Sequence, residues 1–190
     1  MSMRFLPTVP RLRLIVFLAS GVFIFDQLTK LMAKWYLAPR HSIALIGNFL
    51  RLTYVENPGM AFGITIGNRM LFNLLSIAAL GIILFYIFKM HRDGWLSVAF
   101  AVILGGALGN LFDRLVRGRV IDFIDVDFFD LHFAGKDFWF IHLPPYSMER
   151  WPVFNLADIA VSTGMIIIVL YSFLTPRPAP DQDYAVGEDT

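Results

Sequence analysis

Residues 94–125 read GWLSVAFAVILGGALGNLFDRLVRGRVIDFID. The first part, Gly94 to Phe112, carries no charge and approaches the roughly 20 apolar residues that a bilayer-crossing helix needs. The second part turns polar at once and sets a carboxylate, Asp122, close to the end of that segment. A later string, FNLADIA, does the same in reverse: Asp158 stands immediately before the uncharged run from Ile159 to Thr175, which Pro176 ends. An ionisable side chain at membrane depth is costly, and so marks function by default.

Two further segments complete a four-span pattern. Met70 to Phe88 is uncharged. Leu12 to about Met32 is apolar apart from Asp26 and Lys30, whose i, i+4 spacing lets them pair on one helix face. The expected spans are therefore 12–32, 70–88, 94–112 and 155–175. Trp35, Tyr36, Tyr86, Trp95, Trp151 and Tyr171 fall near span ends, where an aromatic belt belongs. The basic residues Arg4, Arg11 and Arg13 before an apolar run resemble a signal peptide, but no small-x-small cleavage site follows, so the run reads as a retained first helix.

Composition agrees. The chain has 190 residues, 57% hydrophobic and only 16% charged, with a mean hydropathy of +0.63. A soluble domain carries about 25% charge. The expected fold is an all-α integral membrane protein with four transmembrane helices. Residues 1–176 form one membrane-embedded domain, and 177–190, Pro-rich and acidic, form a disordered tail. A net charge of +1 gives no reason to expect a nucleic-acid partner. The absence of cysteine excludes disulfides, Cys-ligated zinc and thiol catalysis.

Four spans put both termini and the 89–93 turn on one side, and two longer segments, about 34–69 and 113–151, on the other. Six Lys and Arg lie on the terminal side and ten on the loop side. Taken literally, that count turns the loops to the cytoplasm. Longer folded segments escape the positive-inside rule, so the count leaves orientation open. In the first loop, FLRLTYV alternates and predicts a short strand. Asn57-Pro58-Gly59 predicts a turn, and Gly63 and Gly67 predict close backbone approaches. A small β-rich cradle at the membrane surface is expected. The second loop, 126–151, is rich in Phe and Trp without a clear period, and its aromatics are expected at the lipid interface.

This topology gathers Asp26, Asn57, Asn110, Asp113, Arg114, Asp122, Asn155 and Asp158 on one side of the membrane. Two close carboxylates cannot both ionise cheaply, so one holds a proton near neutral pH. Such a pair can activate water and protonate a leaving amine, which is aspartic proteolysis. Simpler readings stand beside it. Asp113 with Arg114, and Asp26 with Lys30, suit structural ion pairs. The asparagines suit struts for loop backbone, with Asn57 or Asn155 also able to hold a substrate backbone. Asp158 suits a helix N-terminus, and Asp122 a solvated acidic run with Asp125, Asp127 and Asp130. That run, with His132, offers metal ligands but lacks the glycine and terminal glutamate of a calcium loop. A proton-coupled transporter using the same carboxylates, or a structural scaffold, remains an alternative, although transporters usually show internal repeats and more spans.

The ordered strings FDQLTK, NPGMAFG, GNLFDR with RVIDFI, and FNLAD, between about Phe25 and Ile159, resemble the lipoprotein signal peptidases (signal peptidase II). The resemblance implies an intramembrane aspartic endopeptidase with Asp122 and Asp158 as catalytic residues. It implies that Asp26, Lys30, Asn57, Gly59, Asn110, Asp113, Arg114 and Asn155 support or line the site. It implies a substrate class as well: prolipoproteins carrying diacylglycerol on the cysteine that becomes the new N-terminus. No metal or organic cofactor is implied. The expected protein is a monomer in the bacterial inner membrane, its site facing outward and both termini cytoplasmic. One departure stands out. The interval from Asp122 to Asp158 is longer than in compact members, and the added segment, roughly 128–150, is expected to form a lid or lipid-facing flap.

Overall fold

The computed structural model describes residues 11–58, 60–61, 64–65, 69–89, 94–139, 141–143 and 145–175. The expected tail and the positions of Gly59, Gly63 and Gly67 lie outside them. Four helices dominate: α1 (Arg11–Tyr36), α2 (Arg69–Lys89), α3 (Gly94–Val116) and α4 (Leu156–Leu174). Helices α1, α3 and α4 are each long and apolar enough to cross a membrane, while α2 contributes an apolar stretch of Asn73–Lys89. The first helix runs four residues past its expected end at Met32. Its last turns rise beyond the apolar run and carry the exposed Trp35 and Tyr36.

Helix α3 is the axis, packed against the other three. Its sequence explains why. Gly105, Gly106 and Gly109 leave a small-residue stripe on which neighbours can approach closely. A Cβ at Gly105 would stand 2.6 Å from the Ala19 carbonyl oxygen, and one at Gly106 would stand 2.5 Å from that of Ala157. On α4, Gly164 is pressed in the same way against the Ala99 carbonyl at 2.7 Å. Large residues point outward instead: Phe17, Ile24, Met165, Ile166 and Phe173 are all more than half exposed. Such an inside-out distribution has its solvent in lipid.

The short strand expected in the first loop is present. Strand β1 (Ser42–Ile46) pairs antiparallel with β2 (Leu50–Asn57), which covers the predicted FLRLTYV strand. The third member is β5 (Val120–Val126), in antiparallel register with β2 through Leu50↔Val126 and Asn57↔Val120. This sheet sits on the end of α1, with Ala33, Leu37 and Ile121 buried together under Ile43, Leu52, Tyr54 and Phe123. Between β2 and α2 lies a short ladder, β3 (Met60–Ala61) with β4 (Ile64–Thr65).

The second loop departs from an all-α description. It holds β6 (Leu131–Phe133), β7 (Lys136–Phe138), β8 (Ile141–Leu143) and β9 (Tyr146–Met148). β6 pairs with β9 and β7 with β8. Runs of three residues are too short to show a period of two in sequence, so the pattern was not legible there.

Candidate active site

The end of the bundle nearest the three-stranded sheet contains a continuous network of polar side chains. Its centre is Asn155, the N-cap of α4, which is fully buried. The Asn155 side-chain oxygen accepts from the backbone N–H of Asp158 at 3.1 Å, and the Asn155 N–H donates to Asp158 Oδ2 at 3.0 Å. This reciprocal capping box satisfies two orphan N–H groups and fixes the Asp158 carboxylate at the first turn. The Asn155 Nδ2 group donates to Asp122 Oδ1 at 2.7 Å and to Asn110 Oδ1 at 3.1 Å. One buried residue thereby bonds both carboxylates, Asp122 through its side-chain amide and Asp158 through its backbone N–H.

The remaining carboxylate oxygens have donors too. Asn57 Nδ2, at the end of β2, donates to Asp122 Oδ2 at 3.1 Å. Asn110 Nδ2, on α3, donates to Asp158 Oδ1 at 2.8 Å. The Asn110 oxygen also receives Lys30 Nζ at 2.8 Å, which holds its amide with the NH₂ group toward Asp158. The asparagines therefore bond the carboxylates themselves, where struts for loop backbone had been an alternative. Burial, with a smaller push from the charge of Asp158, raises the Asp122 carboxyl to about 6 against the hydrogen bonds from Asn57 and Asn155. That value is high enough for it to hold or release a proton near neutrality.

Beneath this layer lies a buried charge cluster. Lys30 Nζ is 2.9 Å from Asp26 Oδ2 and 2.9 Å from Asp113 Oδ2, and all three side chains are fully buried. The expected Asp26–Lys30 pair is present. The expected Asp113–Arg114 pair is not: Asp113 bonds Lys30 and Arg117. Adjacent helix residues point about 100° apart, so Asp113 and Arg114 cannot share a face, whereas Arg117, one turn on, can. Arg114 turns instead toward α2, donating to Ser76 Oγ at 3.0 Å. Its Nε is buried without a hydrogen-bond partner among the described residues.

Sequence reasoning missed three participants. Gln27 donates to Asp26 and to the Gly109 carbonyl, and its oxygen accepts from Arg117 at 2.9 Å. Arg117 was detectable from its i, i+4 spacing to Asp113. Arg150 was not, because its partners Asp125 (2.9 Å) and Asp127 (2.8 Å) lie more than twenty residues away. The Ala157 N–H donates to Asp26 Oδ1 at 3.0 Å, which ties α4 to α1 directly below the site.

Asp125 separates cleanly from Asp122. Three positions apart on one strand, they face opposite sides of the sheet. Asp125 accepts from Thr53 and Arg150, away from Asn155. Among the described residues no three of His, Asp and Glu gather as a metal site. Gly59 lies outside those residues.

A membrane-length helical bundle whose buried end presents two amide-tethered carboxylates is the frame of a membrane-embedded acid–base enzyme. The comparisons identify the family. The family model described as "Signal peptidase (SPase) II" matches residues 18–174. A lipoprotein signal peptidase of Chlorobium phaeobacteroides (strain BS1) is 38% identical over 80% of this chain and 91% of its own length. One from Halothermothrix orenii is 35% identical over 79% of this chain and 88% of its own length. A solved structure described as a bacterial membrane enzyme is 30% identical, with a TM-score of 0.63, covering 86% of this chain and 94% of the other. The chain belongs to the signal peptidase II family and is a membrane peptidase.

Proposed function

We propose that this chain removes signal peptides from diacylglyceryl-modified prolipoproteins by a two-aspartate mechanism, with Asp122 and Asp158 as the dyad. The observation that carries the reading is the shared residue, whose side-chain amide bonds Asp122 and whose backbone N–H bonds Asp158. Asn155 holds both carboxylates at once, and they come from a strand and a helix separated by the whole second loop. The ionised carboxylate draws a proton from water as it attacks the scissile carbonyl. The protonated one hydrogen-bonds the carbonyl oxygen and later delivers a proton to the leaving amine. The asparagine layer orients both groups, and the neutralised cluster of Asp26, Lys30, Asp113 and Arg117 fixes that layer from below. Arg114 and Asn57 line the approach.

The four-span reading belongs to the same proposal. Helix α2 crosses beside α3, both termini are cytoplasmic, and the carboxylates meet the outer boundary of the bacterial inner membrane. Acyl chains of the substrate then stay in lipid while the peptide bond reaches the dyad. A monomer suffices, because both aspartates come from one chain.

The test is cleavage of a purified diacylglyceryl-modified prolipoprotein by the detergent-solubilised protein, with and without chelator. Chelator-resistant cleavage that Asp122→Asn and Asp158→Asn each abolish, while Asp125→Asn retains it, is the expected result. Full activity in Asp122→Asn overturns the mechanism. A transporter would require inward proton flux that these variants block, and the family membership gives that alternative no support.

A further inference from the structure

The segment between β5 and α4 carries more structure than a connection of its kind needs, and its side chains face the wrong way for water. Its two ladders, β6 with β9 and β7 with β8, are each only three residues long, and neither joins the β1–β2–β5 sheet. Two-stranded ladders of that size are at best marginal in water without an apolar surface to pack on. Yet about half of the surface of several large apolar side chains of this arm stays exposed: Phe128 is 57% exposed, Phe129 54%, Leu131 45% and Phe133 41%. At the tip of the β7–β8 hairpin, Trp139 is 92% exposed. It also holds φ +52, a backbone region that is costly for a bulky side chain.

Position and charge identify what covers this surface. The foot of the arm is fastened at the entry to α4. Phe154 pairs with Ile124 of β5, and Trp151 receives Phe128 and Phe129 edge-on at centroid distances of 6.2 and 5.9 Å. Trp151 is five residues before Leu156, so the aromatic foot lies within about 17 Å of the helix entry even if that stretch is fully extended. Two more exposed aromatics, Trp35 and Tyr36 of α1, stand at the same end of the bundle. Residues 127–151 hold four acidic and two basic side chains. Arg150 is already committed to Asp125 and Asp127. The excess of acidic side chains gives the arm no net attraction to anionic headgroups, whereas indole and phenyl groups favour the boundary between headgroups and acyl chains.

We infer that the arm is a membrane-interface element: its Phe, Leu and Trp side chains enter the leaflet on the site's side of the bilayer and are covered by zwitterionic lipid. The lipid surface completes the packing that the two short ladders lack. It also holds the second loop beside the entry to α4, where a lipid-anchored substrate arrives. The inference rests on the membrane-spanning reading of the helices and not on the peptidase reading, so the two fail separately.

The cysteine-free chain makes the test direct. Trp139→Cys, Phe133→Cys and, as the aqueous reference, Glu149→Cys are each made in the full chain, spin-labelled and reconstituted in phosphatidylcholine nanodiscs. Collision with oxygen is compared with collision with a water-soluble nickel chelate. The labels at 139 and 133 are expected to favour oxygen over nickel severalfold more than the label at 149, unchanged by high salt. Nickel accessibility at 139 and 133 equal to that at 149 overturns the inference. So does protection that develops only when lipidated substrate is added, since the covering partner is then the substrate. Agreement between two independently labelled positions guards against a single misfolded variant.

Discussion

At Asp122, burial and hydrogen bonding pull in opposite directions, and burial wins. Its folded-state carboxyl, raised to about 6, lies above the value of about 4 for an unfolded aspartate. The protonated form is the one that folding favours, so the stability it contributes is complete below about pH 4 and is lost as pH rises through about 6. The loss from this one group is on the order of 3 kcal/mol. Thermal unfolding in detergent between pH 4 and pH 8 is expected to show this decline in the wild type and a flatter profile in Asp122→Asn. An unchanged slope in the variant refutes the assignment. Asn155 is the second decisive residue, because its side chain serves as cap and as donor to Asp122. Asn155→Ala is expected to lower kcat by about 100-fold, the scale of a small misplacement of catalytic groups. Its helix content, measured by circular dichroism, should stay close to that of the wild type. Asp125→Asn loses its ion pair with Arg150 and softens the foot of the second loop, at a cost of about 1 kcal/mol, while cleavage persists.

Between elements, the contacts of α3 set the tolerances. The glycine stripe brings α1 and α4 so close that a Cβ at Gly109 would meet the Asp26 carboxylate. Gly109→Ala is therefore expected to impair the protein through the Asp26–Lys30–Asp113 cluster more than through helix propensity, which alanine would improve. Gly21, on the open side of α1, has nothing near its would-be Cβ. Gly21→Ala should be neutral or slightly stabilising, and the comparison of melting temperatures for the two variants separates close approach from propensity. Lys30 connects these helices electrically. Replacing it by Met leaves the buried Asp26 carboxylate without a cation and Asp113 with Arg117 alone, an error that costs about 3–5 kcal/mol. Poor recovery of folded Lys30→Met from the membrane is the expected readout.

For the molecule as a whole, the direction of insertion is the property the proposal depends on most. Single cysteines replacing Ser2 and Asp181 are expected to resist a membrane-impermeant maleimide in spheroplasts and to react after lysis. One replacing Asp130, in the second loop, is expected to react in both. The reverse pattern would turn the carboxylates to the cytoplasm, as the literal count of basic residues suggested. That count misleads for a physical reason. Several of the loop-side charges are consumed inside the fold: Lys30 is fully buried between Asp26 and Asp113, and Arg117 and Arg150 are bound to carboxylates. They are structural ions before they are topological signals.

Much of this protein was legible in one dimension. Long uncharged runs fold as helices in lipid, because backbone groups there must bond within their own segment. The start of α3 and both ends of α4, to within a residue, followed from the strings around Gly94 and Asp158, while α3 runs four residues past its expected end at Phe112. The β2 strand was visible because the stretch FLRLTYV is long enough to show a period of two and is rich in strand formers. The carboxylates drew notice because charge at membrane depth is costly wherever it stands. Tertiary structure decided what spacing along the chain cannot carry. It turned Asp125 to the opposite face of β5 from Asp122. It gave Asp113 to Lys30 and Arg117, leaving Arg114 for Ser76. It also made Asn155 the residue that bonds both aspartates, one through its side chain and one through its backbone N–H. Such choices depend on which faces meet when helices and strands pack, and a hydrogen bond of 2.7 Å between residues 33 positions apart leaves no local trace in the sequence.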